Sequence, residues 1–495
     1  LYYINYPLSE GNESIQIATT RPETIMGDTA ICVHPTDDRY KHLIGKSCLV
    51  PLVNRPIPII ADDYIDIEFG TGALKVTPAH DFNDYELGKR HKLASIDCFN
   101  DDGTLSEAAQ IFIGEDRFKA RKLVVSELDK LGSLIKTEQI VNKVGKSERT
   151  KAVVEPRLSA QWFIDMKKFM DEHPESLSDV MNDKIQFHPA KFKNTYRHWL
   201  ENIKDWCISR QLWWGHRIPA WYTPEGTPII ARTAEEALQK SNNSEWTISD
   251  LKQDEDVLDT WFSSWLWPIS VFDGFKSESQ KELDYYYPTS DLVTAPDIIF
   301  FWVARMVMAG HAFKKQIPFN NVYFTGIVRD KDRRKMSKSL GNSPDPIHLM
   351  EKFGTDGVRM GLMLSAPAGN DILFDEALCE QGRNFCNKLW NSFRLIKGLE
   401  ISEVQDVFSK NHSSQVHQWM YHKLSKTIDR INAHFDEFRI SDALMELYKL
   451  TRDDFSGWYL EMIKPTYGQP IYTKDLDQGI QMFDQILKLL HPFMP

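Results

Sequence analysis

The apolar pattern of this chain changes its period along the 495 residues, and that change most limits the folds open to it. Up to about residue 145 apolar residues come in short runs cut by Pro, Gly and Asp. Ser14–Thr19 alternates, and Ala30–His34, Cys48–Val53, Pro56–Ala61 and Gly72–Pro78 read as further strands. Asp84–Lys92 and Phe118–Leu131 carry helical spacing. Many short strands with few helices predict a barrel-like β module over 1–145 with appended helices. From 146 to 370, apolar strands alternate with longer helical segments, the mark of a parallel α/β sheet. Asn321–Thr325 is its clearest buried strand, Ile298–Met308 reads as a helix packed on it, and 223–253 is polar with no site signal. From 371 to 495 the period is helical: Leu424, Ile428, Ile431, Phe435 and Phe438 form one stripe, continued by Leu444, Leu447 and Leu450. A helix bundle is expected there, its stripe serving as core.

Fourteen Trp and 27 Phe supply enough bulk for several separate cores. Apolar runs are broken by charge or Pro before membrane-spanning length, so no transmembrane segment is expected. The six cysteines are scattered without a C-x-x-C pair, which predicts neither a disulfide framework nor a zinc ribbon and fits a reducing cytoplasm. A net charge of −11 opposes indiscriminate nucleic-acid binding. Local charge differs: Arg329 to Lys338 holds six basic residues against Asp330 and Asp332, and Lys143, Lys146, Arg149, Lys151 and Arg157 form a second basic stretch. Such stripes on an acidic body suit selective contact with a polyanion and equally suit none.

Three constellations carry chemistry. Lys335-Met336-Ser337-Lys338-Ser339, followed by Leu340-Gly341-Asn342, places two flexible ammonium groups and two hydroxyls in one loop. Such a loop suits a polyphosphate, because charge developing on a leaving pyrophosphate is stabilised by donors already aimed at it. Most Lys/Ser runs are only solvated loops, but this five-residue match arises by chance in roughly one chain in several thousand. The second constellation joins Ala18-Thr19-Thr20-Arg21-Pro22-Glu23-Thr24 with Gly70-Thr71-Gly72 through Asp84. Lys75 and Thr77, two apart on a strand, face one side. Asp81 and Asp84, one helical turn apart, point into one pocket or cap the following helix. The third runs from Asp205 to Tyr222, with Trp206, Trp213, Trp214 and Trp221 beside Arg210, Gln211 and His216. It continues through Asp256–Trp265 and Leu292–Trp302. The Trp residues read as a packed junction and Arg210, Gln211 and His216 as contacts of a site rim. An acid after a strand end with aromatics one turn on suits an amino-acid pocket at the carboxyl edge of a parallel sheet.

The Lys335–Asn342 octet resembles the second signature of class I aminoacyl-tRNA synthetases, and the other two constellations resemble the valyl members of that family over essentially the whole chain. The resemblance implies a partial Rossmann-like catalytic domain with the Lys/Ser loop (146–370), an inserted β-barrel editing domain (1–145) and an incomplete helical anticodon-binding domain (371–495). It implies ATP-dependent activation of valine, transfer to tRNA(Val) and hydrolytic editing of threonyl-tRNA(Val). Lys335, Ser337, Lys338 and Ser339 would serve catalysis, Lys335, Lys338 and Asp297 would meet ATP, and Trp261, Asp297, Ile298 and Trp302 would line the amino-acid pocket. Arg21, Thr24, Lys75, Thr77, Asp81 and Asp84 match the editing positions: Asp81 for the α-ammonium, Asp84 and Thr77 for the threonine hydroxyl, Lys75 and Arg21 near the terminal adenosine. An apolar pocket cannot strongly reject an isostere that adds a hydroxyl, so a second, hydrolytic site makes chemical sense; this family facing threonine is the established example of that limit.

Mg²⁺ is expected with ATP, and no structural zinc, since the stretch before Glu155-Pro156-Arg157 reads Val144-Gly145-Lys146-Ser147-Glu148-Arg149-Thr150 without the cysteines of many relatives. Ala295 stands where many relatives have Gly. The family's first signature, His-x-Gly-His, does not occur. The chain therefore reads as a central fragment, monomeric and cytoplasmic, that does not aminoacylate alone. Two alternatives are an isoleucyl-type synthetase and a truncated, non-catalytic tRNA-binding paralogue.

Overall fold

The computed structural model describes residues 1–147, 150–276, 280–337, 340–404 and 407–495; the side chains of 280 and 407–412, and Lys338 and Ser339 of the Lys/Ser loop, lie outside the described residues. Two compact units are formed, Leu1–Ala160 and Gln161–Pro495.

In the first unit β1 (Tyr2–Pro7) lies between β2 (Ser14–Thr19) and β7 (Leu134–Thr137), antiparallel to both. Alternation sends Ile4 and Tyr6 of β1 and Ile15 and Ile17 of β2 into the core. A second sheet has the order β4 (Ser47–Val50), β5 (Arg55–Ala61), β3 (Ala30–Val33), β6 (Ala73–Val76). β3 is central, parallel to β5 and antiparallel to β6, and all four of its residues are buried. A strand covered on both faces is apolar throughout rather than alternating. The bridge between Leu8 and Cys48 joins the end of β1 to β4. Two helices complete the unit: α1 (Phe82–His91) and α2 (Arg117–Lys130). α2 starts at Asp116, whose carboxylate accepts the N–H groups of Phe118 and Lys119, and it buries Ala120, Val124 and Leu128 at a spacing of four. β7 is almost wholly exposed and shows no alternation, so its sequence carries no strand signal.

In the second unit Phe319–Phe324 is the middle of a parallel sheet between Thr289–Thr294 and Gln186–His188. The segment expected as a helix over 298–308 instead begins with a π-turn at Ile299–Ala304, is α-helical over Arg305–Ala309, and closes with a second π-turn at Gly310–Lys314. It packs Val303, Met306, Val307 and Met308 with Val322 and Phe324 of the central strand. Residues 220–253 form a small antiparallel sheet beside the helix Ala234–Ser241.

Beyond 371 the main elements are helices, Glu376–Lys397, Val407–Asp436, Ile440–Lys449 and Thr473–Leu490, around a shared apolar core. Leu424, Ile428 and Ile431 enter that core as the stripe predicts, with Leu444, Leu447 and Leu450. The stripe ends sooner than its spacing indicates. Phe435 is exposed and stacks on Phe493, while Phe438 lies past the helix at φ +57° and stacks on His188 at 3.8 Å. Three glycines hold Thr355–Leu364 close to Glu376–Lys397. A Cβ at Gly382 would lie 1.9 Å from the Gly357 carbonyl oxygen, and one at Gly361 2.1 Å from that of Leu378.

Candidate functional sites

The first unit contains a cavity of about 810 Å³, and Arg21, Thr24, Lys75, Thr77, Asp81 and Asp84 all line it. Local structure explains the convergence. The 3-10 turn Pro22–Gly27 is held by Glu23, whose buried carboxylate accepts two hydrogen bonds from Arg121 of α2 at 2.6 and 2.8 Å. Arg21 stays at the lip, donating to the His80 carbonyl at 2.8 Å and pairing closely with Glu155. Across the cavity, Gly70 and Gly72 sit at φ +60° and +73°, turning the chain into β6.

Lys75 and Thr77 share a face, as their spacing requires, and both reach a residue the sequence reading did not single out. Asp28, fully buried, accepts from the Lys75 ammonium at 3.1 Å, the Thr77 hydroxyl at 2.6 Å and the Tyr6 hydroxyl at 2.6 Å. Lys75 also donates to the hydroxyls of Thr24 at 3.1 Å and Thr77 at 2.5 Å. An ammonium has three protons; Lys75 directs them to three side-chain oxygens and so acts on the cavity through its charge rather than as a free donor.

The two aspartates divide the roles that sequence left open. Asp81 is exposed and caps α1, accepting from the Asn83 and Asp84 N–H groups at 2.8 and 3.2 Å, so the capping reading holds for it even as it lines the cavity. Asp84 is buried and turns inward to accept the Thr77 N–H at 2.8 Å. Burial pushes its carboxyl up to about 6, against the pull of Lys75. His80, also missed, is buried; its ring accepts the Cys98 N–H at 2.9 Å, and burial lowers it to about 4. Phe69 stands out at the cavity mouth, 80% exposed. Alternation and spacing cannot reveal Asp28 or His80, because each is a single polar residue brought in by tertiary folding.

In the second unit the expected amino-acid-pocket residues fall on two short segments that follow strand ends. Asp259, after the strand Val257–Leu258, caps Thr260–Ser264 and accepts from the Trp206 indole N–H and the Arg210 guanidinium, each at 2.9 Å. Trp261 sits on that turn and stacks on Phe301 with centroids 6.0 Å apart. Asp297 and Ile298 occupy the turn Pro296–Ile298, two residues beyond the carboxyl end of Thr289–Thr294. Trp302 follows, donating its indole N–H to the Ser264 carbonyl at 3.2 Å. Of Phe300, Phe301 and Trp302, Phe301 is exposed and the other two are partly buried, Trp302 packing against the core.

The Lys/Ser loop approaches the same edge. The Lys335 ammonium lies 3.8 Å from the Asp297 carboxylate, with both side chains substantially exposed. Asn342 fastens the loop, donating to Asp330 at 2.9 Å and accepting the Ser337 N–H at 2.9 Å. The Asn342 amide, with Arg334, holds the Asp330 carboxyl down at about 2.

The Trp-rich block splits. Trp206 is buried under the Arg305 guanidinium, 3.5 Å from its ring centroid, and Trp221 is partly buried, but Trp213 and Trp214 stand fully exposed, against the packed-junction expectation. Burial lowers Arg305 to about 10. Arg210 bonds inward to the Cys207 and Ser209 carbonyls and to Asp259, and Gln211 bonds to Gln161 and Asp256. Among the described residues no group of three or more His, Cys, Asp or Glu is arranged to hold a metal, and no helix is long and apolar enough to cross a membrane.

Residues 50–375 match the family model described as tRNA synthetases class I (I, L, M and V), and the chain belongs to that family. Residues 417–495 match a second model, the anticodon-binding domain of tRNA ligase. Among curated proteins the chain is 60% identical to a valine–tRNA ligase of Phocaeicola vulgatus and 59% identical to one of Bacteroides thetaiotaomicron. Each match covers all of this chain but 57% and 56% of those relatives, so the chain spans little more than half their length. Among solved structures, methionyl-tRNA synthetase of Mycobacterium tuberculosis with bound methionyl-adenylate has a TM-score of 0.51 at 19% identity, over 72% of this chain and 65% of that one; it speaks to the fold alone.

Proposed function

We propose that the chain is the editing, partial catalytic and helical tRNA-binding portion of a valine-activating tRNA synthetase, with domains over 1–145, 146–370 and 371–495. Valine and ATP give valyl-adenylate and pyrophosphate, and the valyl group passes to the terminal ribose of tRNA(Val). The carrying observation is Lys335 poised at Asp297, at the carboxyl edge of the parallel strands. Adenine nucleotide and amino acid meet at such an edge, and mobile ammonium groups there stabilise charge growing on the β and γ phosphates. Lys338 acts with Lys335, and Ser337 and Ser339 donate hydrogen bonds. Mg²⁺ bound with the triphosphate would supply charge compensation there. Trp261, Ile298 and Trp302 enclose the valine side chain.

The cavity of the first unit is the site where threonyl-tRNA(Val) is hydrolysed. Asp81 is exposed and charged for an α-ammonium, Thr77 and Asp84 face a side-chain hydroxyl, and Arg21 and the exposed Phe69 ring at the mouth suit a terminal adenosine. Valine-dependent ATP–pyrophosphate exchange by the complete gene product tests the synthetic half. Lys338→Ala is expected to slow exchange at least about 100-fold while shifting valine affinity less than about threefold. Exchange driven by isoleucine in preference to valine would overturn the substrate assignment.

A further inference from the structure

Asp28 does not line the cavity, yet the orientation of its polar floor depends on it. Three donors point at its carboxylate, from Lys75, Thr77 and Tyr6, and the only donor in this set with a choice of direction that also faces the cavity is Thr77. A carboxylate only accepts and an ammonium only donates. Between Asp28 at 2.6 Å and Lys75 at 2.5 Å, the Thr77 hydroxyl must therefore give its proton to Asp28 and accept one from Lys75. Thr24 is fixed likewise, giving its proton to the Arg21 carbonyl at 3.0 Å and accepting from Lys75. Asp84 accepts the Thr77 N–H with one oxygen and has the other available.

We propose that Asp28 is a positioning residue that makes the cavity floor acceptor-only, so that the site selects an aminoacyl ester whose side chain carries a hydroxyl donor over its methyl isostere. This deepens the editing reading and rests on it. A side-chain hydroxyl finds the spare lone pair of Thr77 or the free oxygen of Asp84. A methyl group in the same place leaves buried acceptors unpaired, which is how a polar site discriminates far better than an apolar one.

The test uses the complete gene product and compares hydrolysis of threonyl-tRNA with valyl-tRNA. Wild type is expected to prefer the threonyl ester, and Asp28→Asn to cut that preference at least about tenfold in kcat with KM changed less than about twofold. Thr77→Val is expected to lose a similar factor and Thr77→Ser to keep the preference. In the Thr77→Val background, Asp28→Asn should cost less than about a further twofold, because the hydroxyl it orients is gone. Independent, multiplying effects, or an unchanged preference in Asp28→Asn, would overturn the positioning role while leaving the editing reading intact. A wild-type protein that hydrolyses neither ester would overturn both. If thermal melting shows Asp28→Asn unfolded, the Thr77 pair decides: a threonyl preference kept by Thr77→Val, or lost by Thr77→Ser, would overturn the proposal.

Discussion

Asp84 is the residue whose environment bears most directly on the proposed hydrolysis. Its carboxyl is pushed up to about 6 from an ordinary 3.8 by burial. Between those values the native protein holds a proton that the unfolded chain releases, so the associated stability is complete below about 3.8 and is lost as pH rises through about 6. Wild type should therefore lose stability relative to Asp84→Asn across that window, by on the order of 3 kcal/mol in urea melts. Hydrolysis that uses the carboxylate as acceptor should rise through pH 6 and then level; a profile flat from 5 to 7 would exclude Asp84 from that role. At this scale the sequence was informative where spacing decides geometry. Lys75 and Thr77 share a face and Asp81 and Asp84 share a cavity as predicted. It was silent on Asp28, Tyr6 and His80, whose partners lie 18 to 76 residues away. Trp213 and Trp214 misled, because bulk alone does not tell core from surface.

Among elements, α1 and the glycine crossing invite direct tests. Asp81 both caps α1 and faces the cavity, and two substitutions separate the roles. Asn caps as well as Asp, so Asp81→Asn should keep the melting temperature and lose threonyl-tRNA hydrolysis. Asp81→Ala should lose hydrolysis and about 1 kcal/mol of stability as well. Hydrolysis retained by both variants would remove Asp81 from the site. At the crossing, Gly382→Ala places a methyl group where backbone already lies, and should destabilise by about 3 kcal/mol or prevent folding; a melting temperature within a degree of wild type would show that the two helices can separate. Strands β2 to β6 were readable because alternation or Pro and Gly boundaries mark them, whereas β7 offers neither. The helix expected over 298–308 was placed correctly but its π-turns were not, since apolar content does not encode the extra residue that turns Phe301 outward.

For the whole molecule, the change of apolar period maps onto separate cores. Ile4, Ile17, Val33 and Val124 belong to one, Val303, Val322 and Phe324 to another, and Leu424, Leu444 and Ile486 to a third. The unit Leu1–Ala160 keeps its sheets, its helices and every residue lining the cavity within its own limits. Residues 1–160 produced alone should therefore melt cooperatively with dispersed amide signals; a non-cooperative melt would show that this core is insufficient. Chain-scale composition did less: a net charge of −11 gave no hint of where basic residues gather.

Asn342 ties Ser337 and Asp330 together across the base of the cationic loop, with a third bond to the Lys335 carbonyl at 3.4 Å. A hoop cinched at its neck cannot pay out slack. Asn342→Ala would therefore remove all three of these ties at once without touching any ammonium group.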